Sequence, residues 1–161
     1  MADLFETARG TVHTWQCDHM GHINVRAYGE FFEEACWQLY NVIGITPSLL
    51  RAGHLHMAAV QQDISYKKEL LAGDVVEVRS GVLEIRDKVL RFMHELRNGE
   101  TGELCATSVF TVVCLDSRAR RARAFPPEIY AKARARIVDH ALASVPSPAD
   151  REAPRQRREP G

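Results

Sequence analysis

The run Cys17-Asp18-His19-Met20-Gly21-His22-Ile23-Asn24 places a carboxylate, two imidazoles, a thiol and a carboxamide in one short stretch. Asp18 is the group there that can attack an acyl carbon, or take a proton from a water that does. Such a reaction also needs donors for the negative charge that develops on the carbonyl oxygen. The residues that follow, Val25 to Ala27, open a helix. The first amides of a helix lack intrahelical partners and carry the positive end of its dipole. One turn of chain thus offers an attacking oxygen from Asp18 and an oxyanion site from the amides near Val25 and Arg26. Gly21 would allow close backbone approach to a substrate held between them.

Each of these residues also has a plainer reading. Most loop aspartates bond their own backbone, and a loop histidine such as His22 usually makes a structural hydrogen bond, although it could orient Asp18 or a water. Asn24 reads as a helix cap that also shapes the loop. Cys17, Asp18, His19 and His22 form a compact set of potential zinc ligands. Four ligands so close in sequence would strain tetrahedral closure, whereas structural zinc sites draw on two separated pairs, so no metal is expected.

The elements that must position Asp18 are legible in the hydrophobic pattern. Tyr28, Phe31, Phe32, Ala35, Cys36, Leu39, Val42 and Ile43 recur at three- and four-residue steps, which predicts a long helix. Asn24 marks its start, and Gly44 stands where a left-handed residue would close it. Glu30, Glu33, Glu34, Gln38 and Asn41 fall on the other side. Phe31, Phe32 and Trp37 make the apolar surface wide, so something is expected to curve around this helix.

From Pro47 and Gly53 to about Asp116 the period changes to two. Val60, Ile64 and Tyr66 mark one face of a strand. Val76 and Val78 begin another, whose phase breaks at Val82-Leu83, as at a bulge. Leu90, Phe92, His94 and Leu96 mark the inner face of a third, with Arg91, Glu95 and Arg97 turned away. Asn98 to Gly102 is a hairpin turn, and Cys105 to Leu115, apolar or small on both faces, reads as a central strand. With residues 7 to 14 this makes about five strands. A second helix is predicted from Pro127 to about Ala143, giving an α+β arrangement.

The chain has 161 residues, 45% of them hydrophobic and 26% charged, as expected of one domain. Composition assigns residues 1–144 to that domain and the Pro- and Arg-rich residues 145–161 to a disordered tail. Lysine plus arginine equals aspartate plus glutamate, 21 against 21, so no excess charge favours nucleic acid. No apolar run is long enough to cross a bilayer. The start lacks the pattern of an export signal, and four cysteines without CxxC spacing suit free thiols. These features predict a cytoplasmic protein.

The stretch Asp18 to Asn24, followed by Tyr28 and Phe31-Phe32-Glu33-Glu34-Ala35, with Tyr66 and Gly73-Asp74-Val75-Val76 downstream, resembles hotdog-fold acyl-CoA thioesterases of the 4-hydroxybenzoyl-CoA thioesterase type. The resemblance covers roughly residues 8 to 130. It implies a hotdog fold, an antiparallel sheet of about five strands wrapped around one long central helix, with a C-terminal helix. It further implies a homodimer and often a homotetramer, with active sites shared across the dimer interface, and hydrolysis of an acyl-CoA thioester without a cofactor. The aspartate aligned with Asp18 acts in that family as nucleophile or as general base. One departure is Val25, which stands where some members of the wider family carry a second histidine.

Trp15, Tyr28 and Phe31 are then candidates for the substrate pocket, although each could equally be core. Coenzyme A carries phosphates, for which Lys67, Lys68 and Arg91 are candidate partners, with Arg86 and Lys88 nearby in sequence. Two other functions compete. A hotdog hydratase or dehydratase would use a histidine with an acid, but the Asp-to-His spacing of hydratases is absent because position 23 is Ile23. A non-catalytic acyl-CoA-binding hotdog protein would suit the sparse site, but the intact Asp18 argues against it.

Overall fold

The computed structural model of the chain describes residues 1–152. The residues recurring at helical spacing become the buried face of α1 (Val25–Val42), where Ala27, Tyr28, Phe31, Phe32, Ala35, Cys36, Leu39 and Tyr40 are all buried. Both ends are closed as the end residues predict. The Asn24 side chain accepts the Arg26 N–H at 3.1 Å. At the other end Gly44, at φ +94°, donates to the Asn41 carbonyl, and Ile45 reaches back to the Tyr40 carbonyl at 2.8 Å, the paired bonds of a Schellman motif. A short helix, α2 (Pro47–Arg51), follows, with Thr46 as its cap.

Five strands, β1 (Phe5–Thr11), β2 (Leu55–Tyr66), β3 (Val75–Ile85), β4 (Val89–Asn98) and β5 (Leu104–Asp116), form an antiparallel sheet in the order β1-β3-β4-β5-β2. A two-residue strand, β6 (Arg121–Ala122), pairs with the end of β5. Helix α1 lies against β1, β3 and β4. Near its start Ala27, Phe31 and Phe32 pack with Val76, Val78 and Leu96; farther along, Leu39 and Ile43 pack with Val82, Leu90 and Phe92. The sheet thus curls around the helix, which answers the wide apolar surface seen in the sequence. The family of folds with this order and this enclosed helix is the hotdog.

The expected bulge in β3 is present: the register against β4 shifts between Val82 and Glu84. Leu83 is thereby sent to the outer face, where it packs with Met93, Val109 and Val138. The first strand of the period-two region differs from expectation. It begins at Leu55, and Val60 sits in a register shift between Ala59 and Gln61, 53% exposed, so it does not share a face with Ile64.

The C-terminal helix is shorter than predicted. Helix α3 (Pro127–Arg134) stops because the chain turns back to the bulge in β3, where Val82 donates to the Arg136 carbonyl and Val138 donates to the Val82 carbonyl. Backbone groups freed by the bulge take these partners in preference to another helical turn. The chain then crosses the outer face of the sheet. Arg91 donates to the carbonyls of Ala143 and Val145, Gln61 to the Pro146 carbonyl, and Arg151 pairs with Asp63. Residues Pro148–Glu152 form a short helix, α4. Residues 145–152, which composition places in a disordered tail, are therefore seated on the sheet; residues 153–161 lie outside the described residues. This cover explains why Arg91 and Glu95, on the face predicted to be solvated, are each only 6% exposed. Among the described residues no helix is long and apolar enough to cross a membrane.

Candidate active site

Asp18 lies in a loop pinched shut where Cys17 bridges Ile23. Its N–H donates to the His22 carbonyl, and its own carbonyl accepts the Gly21 N–H at 3.0 Å. The turn places Gly21 at φ +85°, a conformation that favours glycine. A Cβ at Gly21 would meet nothing within 4 Å. Glycine is therefore favoured there by backbone conformation, and the space where a Cβ would stand is open.

Each Asp18 carboxylate oxygen holds one hydrogen bond: Oδ1 accepts the Met20 N–H at 2.9 Å, and Oδ2 accepts Nδ2 of Asn24 at 2.8 Å. Both bonds favour the anion, that of Asn24 most, and hold Asp18 below the usual carboxylate range. An ionised carboxylate has further lone pairs, so both oxygens remain able to accept a proton or attack. Asn24 uses both ends of its amide, because its Oδ1 is the helix cap. Its cap bond engages the Arg26 amide, and the Ala27 N–H goes to the Asn24 carbonyl. That leaves the Val25 N–H without a partner among the described residues. Of the amides considered as oxyanion donors, Val25 alone is free.

His22 turns to Glu69, with Nδ1 3.7 Å from its carboxylate. A recess of about 220 Å³ opens beside the loop, bounded by His22, Val25, Tyr28, Tyr66, Lys67 and Lys68. It gathers residues from the loop, from the start of α1 and from the end of β2, segments far apart in sequence. Tyr28 meets Tyr66 edge to face at 5.0 Å, and its hydroxyl donates to the Lys68 carbonyl. Burial, with smaller contributions from neighbouring acidic groups, pushes the Tyr28 phenol up to about 12, so it stays neutral. Lys68 pairs with Glu103 at 3.3 Å, and Lys67 is exposed.

The remaining sequence candidates are dispersed. Trp15 is 70% exposed and stacks on His13. Phe31 is buried in the core, pressed on Gly10, where a Cβ would come within 2.8 Å of its ring. Arg91 is held under residues 143–145 on the outer face of the sheet, apart from the recess. Cys17, Asp18, His19 and His22 do not converge on a common point, and no cluster of three metal-ligating side chains occurs among the described residues.

Two features were not anticipated. A groove of about 750 Å³ runs along α1 past Arg26, Glu30, Glu33 and Trp37, walled opposite by Met57 and Phe110 of β2 and β5. Its sequence signal was the wide surface of the helix, with Trp37 51% exposed on it. The other is Gln16, a buried amide just before Asp18 that no periodicity marks.

Comparison with known proteins is consistent with this architecture. Residues 12–133 match the profile of the thioesterase-like superfamily. An L-carnitine dehydrogenase/betainyl-CoA thioesterase of Agrobacterium fabrum is 31% identical over 81% of this chain, which spans only 26% of that protein's length. The long-chain acyl-CoA thioesterase FadM of Escherichia coli is 24% identical over 75% of this chain and 91% of its own. Among solved structures, a hypothetical protein of Staphylococcus aureus in complex with CoA superposes with a TM-score of 0.78 at 20% identity, covering 87% of this chain and 89% of that one.

Proposed function

Because the chain belongs to the thioesterase-like superfamily, we propose that it hydrolyses the thioester of an acyl-coenzyme A to the free acid and coenzyme A. The observation that carries this reading is an ionised Asp18 tied through Asn24 to a helix start whose Val25 N–H has no partner among the described residues. Asp18 attacks the thioester carbonyl, or takes the proton of a water that attacks it, while Val25 donates to the oxygen on which charge collects. The carbon–sulfur bond then breaks, and the departing sulfur of coenzyme A takes up a proton. If Asp18 is the nucleophile, water hydrolyses the acyl–aspartyl anhydride in a second step; both routes give the same products.

Lys67 and Lys68 bound the recess and are the cations we assign to the coenzyme A phosphates. Arg91 is dropped from that role, being engaged under the C-terminal segment. Tyr28, which bounds the recess, remains on the substrate side, Phe31 supports it from the core, and Trp15, exposed and outside the recess, is not assigned to it. A homodimer, or a tetramer built from it, suits the long outer edge of β2, which has no strand partner among the described residues and borders the groove along α1. The four cysteines are unpaired, which suits the reducing cytoplasm.

The test is release of free thiol from a panel of aromatic, short-chain and long-chain acyl-CoA esters by the purified protein. Turnover of at least one ester class is expected; no release from any member, with the folded protein verified, rejects the reading. A second measurement probes the electrostatics. Asp18 acts as its anion, so activity is lost as pH falls through its pKa, and the hydrogen bond from Asn24 pushes that limb to low pH. Asn24→Ala is therefore expected to move the acid limb of the pH–rate profile upward, and to cost about 1 kcal/mol of stability through the lost cap. A limb that stays in place would show that another group controls it.

A further inference from the structure

Every bond that shapes the Asp18 carboxylate lies inside residues 18–24, so the loop fixes its own internal geometry. How that loop sits on α1 is a separate matter, and it decides where the carboxylate stands relative to the Val25 amide. The bonds that cross from the chain before the loop to the helix run through the side chains of Gln16, Glu30 and Arg26 and one main-chain bond. Gln16, 6% exposed, spends its whole amide: Oε1 accepts the His13 N–H at 2.8 Å, and Nε2 donates to Oε2 of Glu30 at 2.7 Å. Its main-chain carbonyl accepts the Asn24 N–H at 2.8 Å, one residue before the helix begins. Glu30, in the second turn of α1, also pairs through Oε1 with Arg26 at 3.5 Å, and Arg26 in turn donates to the Trp15 carbonyl.

We propose that Gln16 is a positioning residue for the reaction: its hydrogen bond to Glu30 clamps the entry of the Asp18 loop onto α1 and sets the carboxylate against the Val25 amide. This rests on the hydrolysis proposed above. Gln16 does not touch the Asp18 carboxylate and acts on it only through the backbone on either side of it. Gln16 is buried whereas Glu30 is half-exposed, so loss of the bond costs the Gln16 amide more than the carboxylate.

The geometry allows the contact to be reversed. Gln16→Glu sets two carboxylates against each other at this contact, and kcat for thiol release is expected to fall about 10- to 100-fold with KM within about twofold, as for a small misplacement of a reacting group. Glu30→Gln is expected to stay within about twofold of the parent, because its amide can turn its oxygen to Gln16 and keep that bond, while Arg26, 66% exposed, turns away from the amide NH₂ into water. The double variant, Gln16→Glu with Glu30→Gln, restores a donor–acceptor pair of opposite direction, leaves an acceptor for His13 and Arg26, and should recover kcat to within about threefold. Gln16→Met, similar in volume and without either bond, reads the same loss without repulsion should Gln16→Glu fail to fold. Parent-like kcat in Gln16→Met, or a folded double variant as slow as Gln16→Glu, would overturn the proposal. Failure of the underlying hydrolysis looks different: the parent protein itself would release no thiol.

Discussion

Asp18→Ala should lower kcat for thiol release on the order of 10³-fold, the usual contribution of a positioned base or nucleophile, while leaving the fold intact. The side chain is half-exposed and bonds only Met20 and Asn24 within its own loop, so no core contact is lost. Water can replace both bonds. Alanine is a cleaner test than asparagine here. Both carboxylate oxygens accept hydrogen bonds, so the NH₂ of an asparagine would face either the Met20 N–H or the Asn24 amide, donor against donor. Unfolding midpoints within a few degrees of the parent, measured together with steady-state kinetics, would establish that the loss is chemical. Activity within a few-fold of the parent would remove Asp18 from the mechanism and return it to the role of a turn residue.

The second large effect concerns stability and comes from the middle of the sheet. His94 is fully buried among Phe32, Phe92 and Phe110. Its Nδ1 is 2.6 Å from Ser80 Oγ, which is 2.6 Å from Thr7 Oγ1, and Thr7 donates to the Val78 carbonyl. With Thr7 committed as donor, Ser80 donates to Thr7, and His94 must donate from Nδ1. Nε2 is then a bare acceptor with no partner among the described residues. Nothing there stabilises an imidazolium, and burial pushes the pKa down to about 3. The unfolded chain takes up a proton near pH 6.5 that the folded chain refuses, so stability from this group is complete above that pH and falls as pH drops toward 3. Denaturant titrations between about pH 6 and 4 should show a loss near 1.4 kcal/mol per pH unit from this one group. His94→Leu should flatten the slope by that amount. An unchanged slope in the variant would mean that His94 is protonated in the folded protein.

Much of the fold was legible because its signals are local. Asn24 and Gly44 bounded α1 since a helix end needs a side-chain acceptor at one terminus and a left-handed residue at the other, and both requirements are met within a few residues. The phase break at Val82-Leu83 located the bulge for the same reason. The end of α3 was not legible. Residues 135–143 have the composition of a helix, but the bulge in β3 offers a free carbonyl and amide at Val82, and those belong to a strand far away in sequence. Residues 145–152 have the composition of a tail, yet their anchors, Arg91, Gln61 and Asp63, are themselves polar residues that composition counts as surface.

The candidate site divides along the same line. Asp18, Asn24 and the helix start lie within one short segment, so residue type and spacing sufficed to bring them together on paper, as did the resemblance to hotdog thioesterases. The uncommitted amide is another matter. The Asn24 carbonyl takes the Ala27 amide, and whether Arg26 is taken as well, leaving Val25, depends on where the Asn24 side chain points, which its bond to Asp18 fixes. The recess joins Val25 to Tyr66, Lys67 and Lys68, and the Gln16 amide reaches Glu30 a full turn into the helix. Hydrophobic periodicity records which face of an element is buried. It carries no information on which polar groups meet once separate elements pack, because hydrogen bonds depend on distances of a few tenths of an ångström that only the packed chain sets.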